Sequence, residues 1–109
     1  MGVVIRLYDK GKWTGEGIIL YRGSITHNLI PMWKQAGVYE AIYESEGKQA
    51  KRIIKPLKLG LRKMLEEPKE FVKLEPKNGW GDYWGVVNFI ANLLEACMKY
   101  PKARIWIWR

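Results

Sequence analysis

The sequence predicts an α+β fold: a small antiparallel sheet of about three strands, built from an N-terminal hairpin and a C-terminal strand, with helices packed on one face. Three observations carry this expectation. Val3 to Tyr8 and Gly17 to Tyr21 are apolar, β-prone runs on either side of the turn residues Asp9-Lys10-Gly11-Lys12. Two stretches, Ala50 to Leu65 and Tyr83 to Lys99, repeat apolar residues at helical spacing. Ala103 to Trp108 alternates, with Ala103, Ile105 and Ile107 on one side and Arg104, Trp106 and Trp108 on the other, the period of a strand. With 109 residues the chain has room for a single domain, 1–109, and for one core.

Taken in order, the hairpin has a somewhat long loop around Trp13 and Gly15, and Arg22-Gly23 closes its second strand. Asn28 is the expected N-cap of a short helix with Pro31 in its first turn and Gly37 as its C-terminal stop. Val38 to Tyr43 suits either a strand or a helical turn, and Glu44-Ser45-Glu46-Gly47 breaks it. In the next helix Ala50, Ile53, Ile54, Leu57, Leu61, Met64 and Leu65 form one apolar stripe. Pro56 kinks that helix or marks a second start near Lys55, and Gly60 weakens it. Glu66-Glu67-Pro68 ends it, and one loose turn follows from Pro68 to Leu74. After the loop Lys77 to Asp82, Asp82 caps a helix whose apolar face is Val86, Val87, Ile90, Leu93, Leu94 and Cys97, stopped at Tyr100-Pro101. Met64, Met98 and Cys97 are read as core. Trp106 and Trp108 share a strand face, so that face is expected to be covered by a partner chain or by the Trp13 loop, which makes a homo-oligomer through the C-terminal strand the expectation.

Composition narrows the chemistry. One cysteine, Cys97, excludes an internal disulfide framework and any multi-thiolate metal site, and one histidine, His27, excludes a His pair. No apolar run approaches the ~18 residues of a membrane span, and MGVVIRLYDK lacks a signal-peptide pattern, so the expected setting is the cytoplasm, with no membrane partner. The net charge of +8 is local: Lys48, Lys51, Arg52, Lys55, Lys58, Arg62 and Lys63 occur without an intervening acid. Outside that segment twelve basic and eleven acidic residues nearly cancel. Such a field attracts anions, from nucleotides to nucleic acid, although it also suits a solvated helix face. No phosphate-loop, dinucleotide, nucleophile-elbow or zinc motif occurs, and no carboxylate cluster, so an enzyme is disfavoured and no cofactor is expected.

Two polar turns stand out. Thr26-His27-Asn28 places a hydroxyl, an imidazole and an amide before a helix, where they either cap it or surround an anion. Asn78-Gly79-Trp80-Gly81-Asp82-Tyr83-Trp84 packs glycines among aromatics; its rings could stack on a base while Asn78 and Asp82 read polar edges, or they could simply be core. Both turns precede helices, so each is expected to offer backbone N–H groups to one bound anion.

These residues resemble a group of small phage and prophage proteins. The resemblance rests on Ile25-Thr26-His27-Asn28-Leu29, on Ala36-Gly37-Val38-Tyr39-Glu40-Ala41, on Pro76-Lys77-Asn78-Gly79-Trp80-Gly81-Asp82-Tyr83, and on Leu94-Glu95-Ala96-Cys97 with Pro101-Lys102-Ala103. It implies a phage origin and, since small phage accessory proteins often act on host defence, a role in sequestering a nucleotide signal or binding an effector. The expected function is therefore a non-enzymatic binding protein for a small anionic ligand such as a nucleotide. Thr26, His27 and Asn28 would meet phosphate or polar edges, Trp80 and Tyr83 would stack, and Arg52 or Lys55 would supply charge. The alternatives are nucleic-acid or effector-complex binding through the basic helix 48–63, and a purely structural or interaction role.

Overall fold

A computed structural model describes residues 2–9, 18–79 and 81–109. Three antiparallel strands form one sheet in the order β2-β1-β3, with β1 at Gly2–Tyr8, β2 at Ile19–Thr26 and β3 at Arg104–Trp108. The helices lie on one face, so the α+β expectation holds. On that inner face Val3, Ile5, Leu7, Ile105 and Ile107 are buried, while Val4, Arg6 and Trp106 on the other are only half-buried and Trp108 is 63% exposed. The period-2 alternation of each strand sets this division.

The second strand runs five residues beyond Tyr21, where its apolar run ends. Register explains the difference: Arg22 to Thr26 pair with Arg6 back to Gly2, so the ladder continues for as long as β1 offers partners, whatever the local propensity. Gly23 faces the helices there, and an added Cβ would lie 3.2 Å from the Phe89 ring. The far edge of β3 is also taken. Gly47 N–H donates to Ile105 O at 2.8 Å, Ile105 N–H to Lys48 O at 3.0 Å, and Ile107 N–H to the Glu46 carboxylate at 3.1 Å. The edge of β3 is therefore not open for pairing with a second chain.

After β2 the chain enters a 3₁₀ turn, His27–Leu29, capped by Thr26, whose Oγ1 accepts the Asn28 N–H at 3.3 Å. Thr26, not Asn28, is the cap, because the turn starts two residues earlier than an Asn28 cap would place it. Helix α1 (Ile30–Ala36) carries Pro31 in its first turn and stops at Gly37, φ +78°. The ambiguous segment is helical, α2 (Tyr39–Tyr43). A second 3₁₀ turn, Ala50–Ile53, leads into α3 (Ile54–Glu66), so Pro56 sits in a first turn, where its missing N–H costs nothing. The short α4 (Pro68–Val72) and the long α5 (Tyr83–Lys99) follow. No helix among the described residues is long and apolar enough to cross a membrane.

The core forms where α5 packs along β2 and against α3, with α1 crossing α3. Gly60 makes that last crossing. A Cβ there would lie 2.3 Å from Val38 Cγ1 and 2.9 Å from the Ala36 carbonyl oxygen, so the residue that weakens α3 as a helix is the one that lets α1 approach. Met64 and Cys97 are fully buried as expected, but Met98 and Leu65 are each 53% exposed. Leu65 falls at the margin of the apolar stripe, in the last turn of α3.

Candidate functional site

The two polar turns meet. Gly81, at φ +107°, packs so closely that an added Cβ would lie 2.9 Å from Leu29 Cδ1 and 3.0 Å from Thr26 Cγ2. Only glycine allows both that backbone angle and that approach.

Three of their backbone donors, however, are held within the protein itself. Asp82 Oδ1 accepts the Gly85 N–H at 2.7 Å, and Glu75 Oε2 accepts the Tyr83 N–H at 2.7 Å. Two carboxylates thus occupy the positive end of α5, and an added anion would meet their charge. At the other turn the Thr26 hydroxyl holds the Asn28 N–H. The Asn28, Tyr83 and Gly85 N–H groups are therefore not open to an added anion.

Tyr83 is not a stacking surface. It is 3% exposed, and its O–H donates to the Met64 carbonyl at 2.6 Å. That carbonyl belongs to the last turn of α3, and its normal partner four residues on is Pro68, which has no N–H. Tyr83 supplies the missing donor. Trp84 takes the outward position instead, 62% exposed and edge-on to Tyr83 at 5.1 Å. Asn78 and Asp82 are exposed, while Trp80 and the Trp13 loop lie outside the described residues.

Among the described residues, Arg52 and Lys55 do not line the hollow that Thr26 lines. Arg52 lines a separate cleft of about 470 Å³ with Lys34, Tyr39, Glu40 and Lys48, and Lys55 is exposed on α3. Arg109 shares an aromatic neighbour with His27. Its guanidinium lies 5.1 Å from the centre of the Tyr43 ring, and the His27 ring meets that same ring edge-on at 5.7 Å. The Nε2 atom of His27 is buried without a hydrogen-bond partner.

From this corner the outer sheet face opens. A hollow of about 530 Å³ lies between Val4, Ser24, Thr26, Trp108 and Arg109. A second, of about 280 Å³, lies between Val4, Arg6, Trp106 and Trp108. The two share Val4 and Trp108 and so form one surface. Across it the register aligns Arg22, Arg6 and Trp106 in one row and Ser24, Val4 and Trp108 in the next. The Arg6 guanidinium sits 4.8 Å from the Trp106 ring centre, donates to the Tyr8 hydroxyl at 3.1 Å, and keeps a buried Nε–H without a partner. The three strands contain no carboxylate. Two like charges directly opposite across a strand pair repel, and here no acid among the described residues pairs with either.

Sequence reasoning found Thr26 and His27 at this corner and the tryptophan face of β3. It missed Arg6, Arg22 and Arg109. The signal was present in the parity of the hairpin, since a register that opposes Arg6 to Arg22 puts both on the face of Trp106. Burial pushes the Cys97 thiol up to about 12 and raises Tyr21 and Tyr83 above the usual phenol value, which disfavours the charged form of each. Comparison with family models, with curated proteins and with solved structures gives no match.

Proposed function

We propose that this chain is a non-enzymatic binding protein for an anionic ligand with a flat ring, a nucleotide, held on the outer sheet face at the corner where the two polar turns meet. The observation that carries the reading is the unneutralised row Arg22–Arg6–Trp106, next to the hollow of Thr26, Trp108 and Arg109. An anion would relieve the Arg6–Arg22 repulsion, and an exposed indole offers a ring-stacking surface beside it. In this arrangement Trp108 takes the stacking role first expected of Trp80 and Tyr83, and Arg6, Arg22 and Arg109 take the charge role expected of Arg52 and Lys55. Thr26 lines the hollow, and His27 follows it against Tyr43. In the phage setting that the resemblance implies, such a protein would antagonise host defence by sequestering a nucleotide signal.

The test is calorimetry against a panel of linear and cyclic nucleotides. Micromolar binding that Trp108→Ala weakens about tenfold or more, with the fold retained, supports the reading. Failure of the whole panel refutes it.

A second reading, binding of nucleic acid duplex through the basic segment, has one favouring observation. All seven cations from Lys48 to Lys63 are exposed, and none is in an ion pair among the described residues. Replacing Lys51, Arg52 and Lys55 with Gln would then flatten the salt dependence of duplex affinity by about three phosphate contacts.

A further inference from the structure

We infer that the outer sheet face is a track for single-stranded nucleic acid, in which the site for one nucleotide is repeated along β3. This rests on the nucleotide reading above and extends it from a monomer to a strand.

The repeat is in the geometry. Trp106 and Trp108 are two residues apart on one face, and their ring centres lie 5.8 Å apart. Their planes are tilted by 42°, so they cannot sandwich one ring between them and instead present two separate platforms. Cations flank this face. Arg6 lies 4.8 Å from the Trp106 ring centre and is flanked by Arg22 across the strand pair. Arg109 lines the same hollow as Trp108. Two indoles on one face, with Arg6 and Arg22 beside it and Arg109 at its rim, match a polymer in which bases and phosphates recur together.

The composition of the face selects this occupant. Single-stranded nucleic acid is held by a positive groove that follows the backbone and by aromatic side chains on which bases stack. In a duplex the base faces are already stacked on one another and cannot reach the indoles, so duplex should gain little here. A second copy of this chain is disfavoured by charge. A two-fold interface sets the same patch against itself, which brings Arg6 and Arg22 of both copies into one buried surface whose strands carry no carboxylate. Edge pairing through β3 is closed by Gly47 and Lys48.

The experiment is fluorescence anisotropy of a 5′-labelled octamer of uridylate and one of thymidylate, competed with the mononucleotide, the dinucleotide, the tetramer and a 12-base-pair duplex. Affinity is expected to rise at least tenfold from the mononucleotide to the tetramer and to exceed that for the duplex. The salt dependence of octamer binding should have a slope of about −2, from three arginines at roughly 0.7 each for a single strand. Arg22→Gln should make that slope shallower by about 0.7. Trp108→Ala should weaken the octamer by about tenfold or more, with circular dichroism and melting temperature unchanged, because the ring is already exposed. Mononucleotide binding with no gain on lengthening overturns the strand proposal and leaves the nucleotide reading standing. Absence of binding to every probe at low salt overturns both. Duplex binding as tight as octamer binding, lost in the Lys51, Arg52 and Lys55 variant and not in Trp108→Ala, moves the interface to the basic segment and overturns the track. A stable dimer in native mass spectrometry that Trp108→Ala dissolves overturns it in favour of self-association.

Discussion

Replacing Gly60 with Ala separates two accounts of α3, because they differ in sign. Helix propensity alone favours the change: Ala is better than Gly in a helix interior by about 1 kcal/mol. The packing opposes it. The new methyl would lie 2.3 Å from Val38 Cγ1 and 2.9 Å from the Ala36 carbonyl oxygen. Val38 is fully buried and branched at Cβ, so it has little freedom to rotate away, and Ala36 O is main chain. Ordinary carbon contacts need roughly 3.5–4.0 Å, so α1 must retreat by about 1 Å. A retreat of that size forfeits a quarter to a half of the dispersion along the contact of Met32, Trp33 and Ala36, and overpacking of this kind costs roughly 1–3 kcal/mol. Taking about 3 kcal/mol for a clash that includes backbone, the net is a loss of about 2 kcal/mol. For a chain of this length that lowers the melting temperature by about 10 °C. Thermal melting by circular dichroism and urea titration at constant m would measure it. A melting temperature equal to or above that of the parent would refute the close crossing of α1 and α3.

Other outcomes follow from the same contacts. Tyr83→Phe removes the only donor that reaches the Met64 carbonyl among the described residues, and should cost about 1–3 kcal/mol by urea titration. Asp82→Ala removes the side-chain cap on Gly85 N–H and should cost about 1 kcal/mol, with non-additive coupling to Glu75→Gln because both carboxylates serve one helix end. Stability should fall as pH rises from about 9 toward about 12, because the buried Cys97 keeps its proton in the folded state while the unfolded chain loses it; Cys97→Ala should flatten that slope in pH-dependent urea melts. The same thiol should resist alkylation in the native protein and react on unfolding.

The candidate site was partly legible in the sequence. Thr26-His27-Asn28 and Gly81-Asp82 were marked by composition, and the structure brings them into contact through Gly81. Their roles were not legible. Whether Thr26 or Asn28 caps depends on where the 3₁₀ turn begins, and whether Tyr83 faces solvent depends on a carbonyl nineteen residues earlier that Pro68 leaves without a partner. Local spacing carries no information about that pairing.

What the sequence by itself determined is the set of elements and their faces. Periods of 2 and 3.6 residues follow from covalent geometry, so the alternation in β3 and the stripes of α3 and α5 already separate inside from outside. Punctuation is local as well, which is why Pro31, Gly37, Pro56 and Asp82 were read where they act. Tertiary structure decided what depends on meeting across the chain. It extended β2 to Thr26 by pairing it with β1, made Gly60 a crossing point, and turned Tyr83 inward. Register, too, is a property of pairs of strands. Only when β2, β1 and β3 lie side by side do Arg22, Arg6 and Trp106 stand in one row, because residues sixteen and a hundred positions apart become neighbours through the hydrogen-bond ladder and not through the chain.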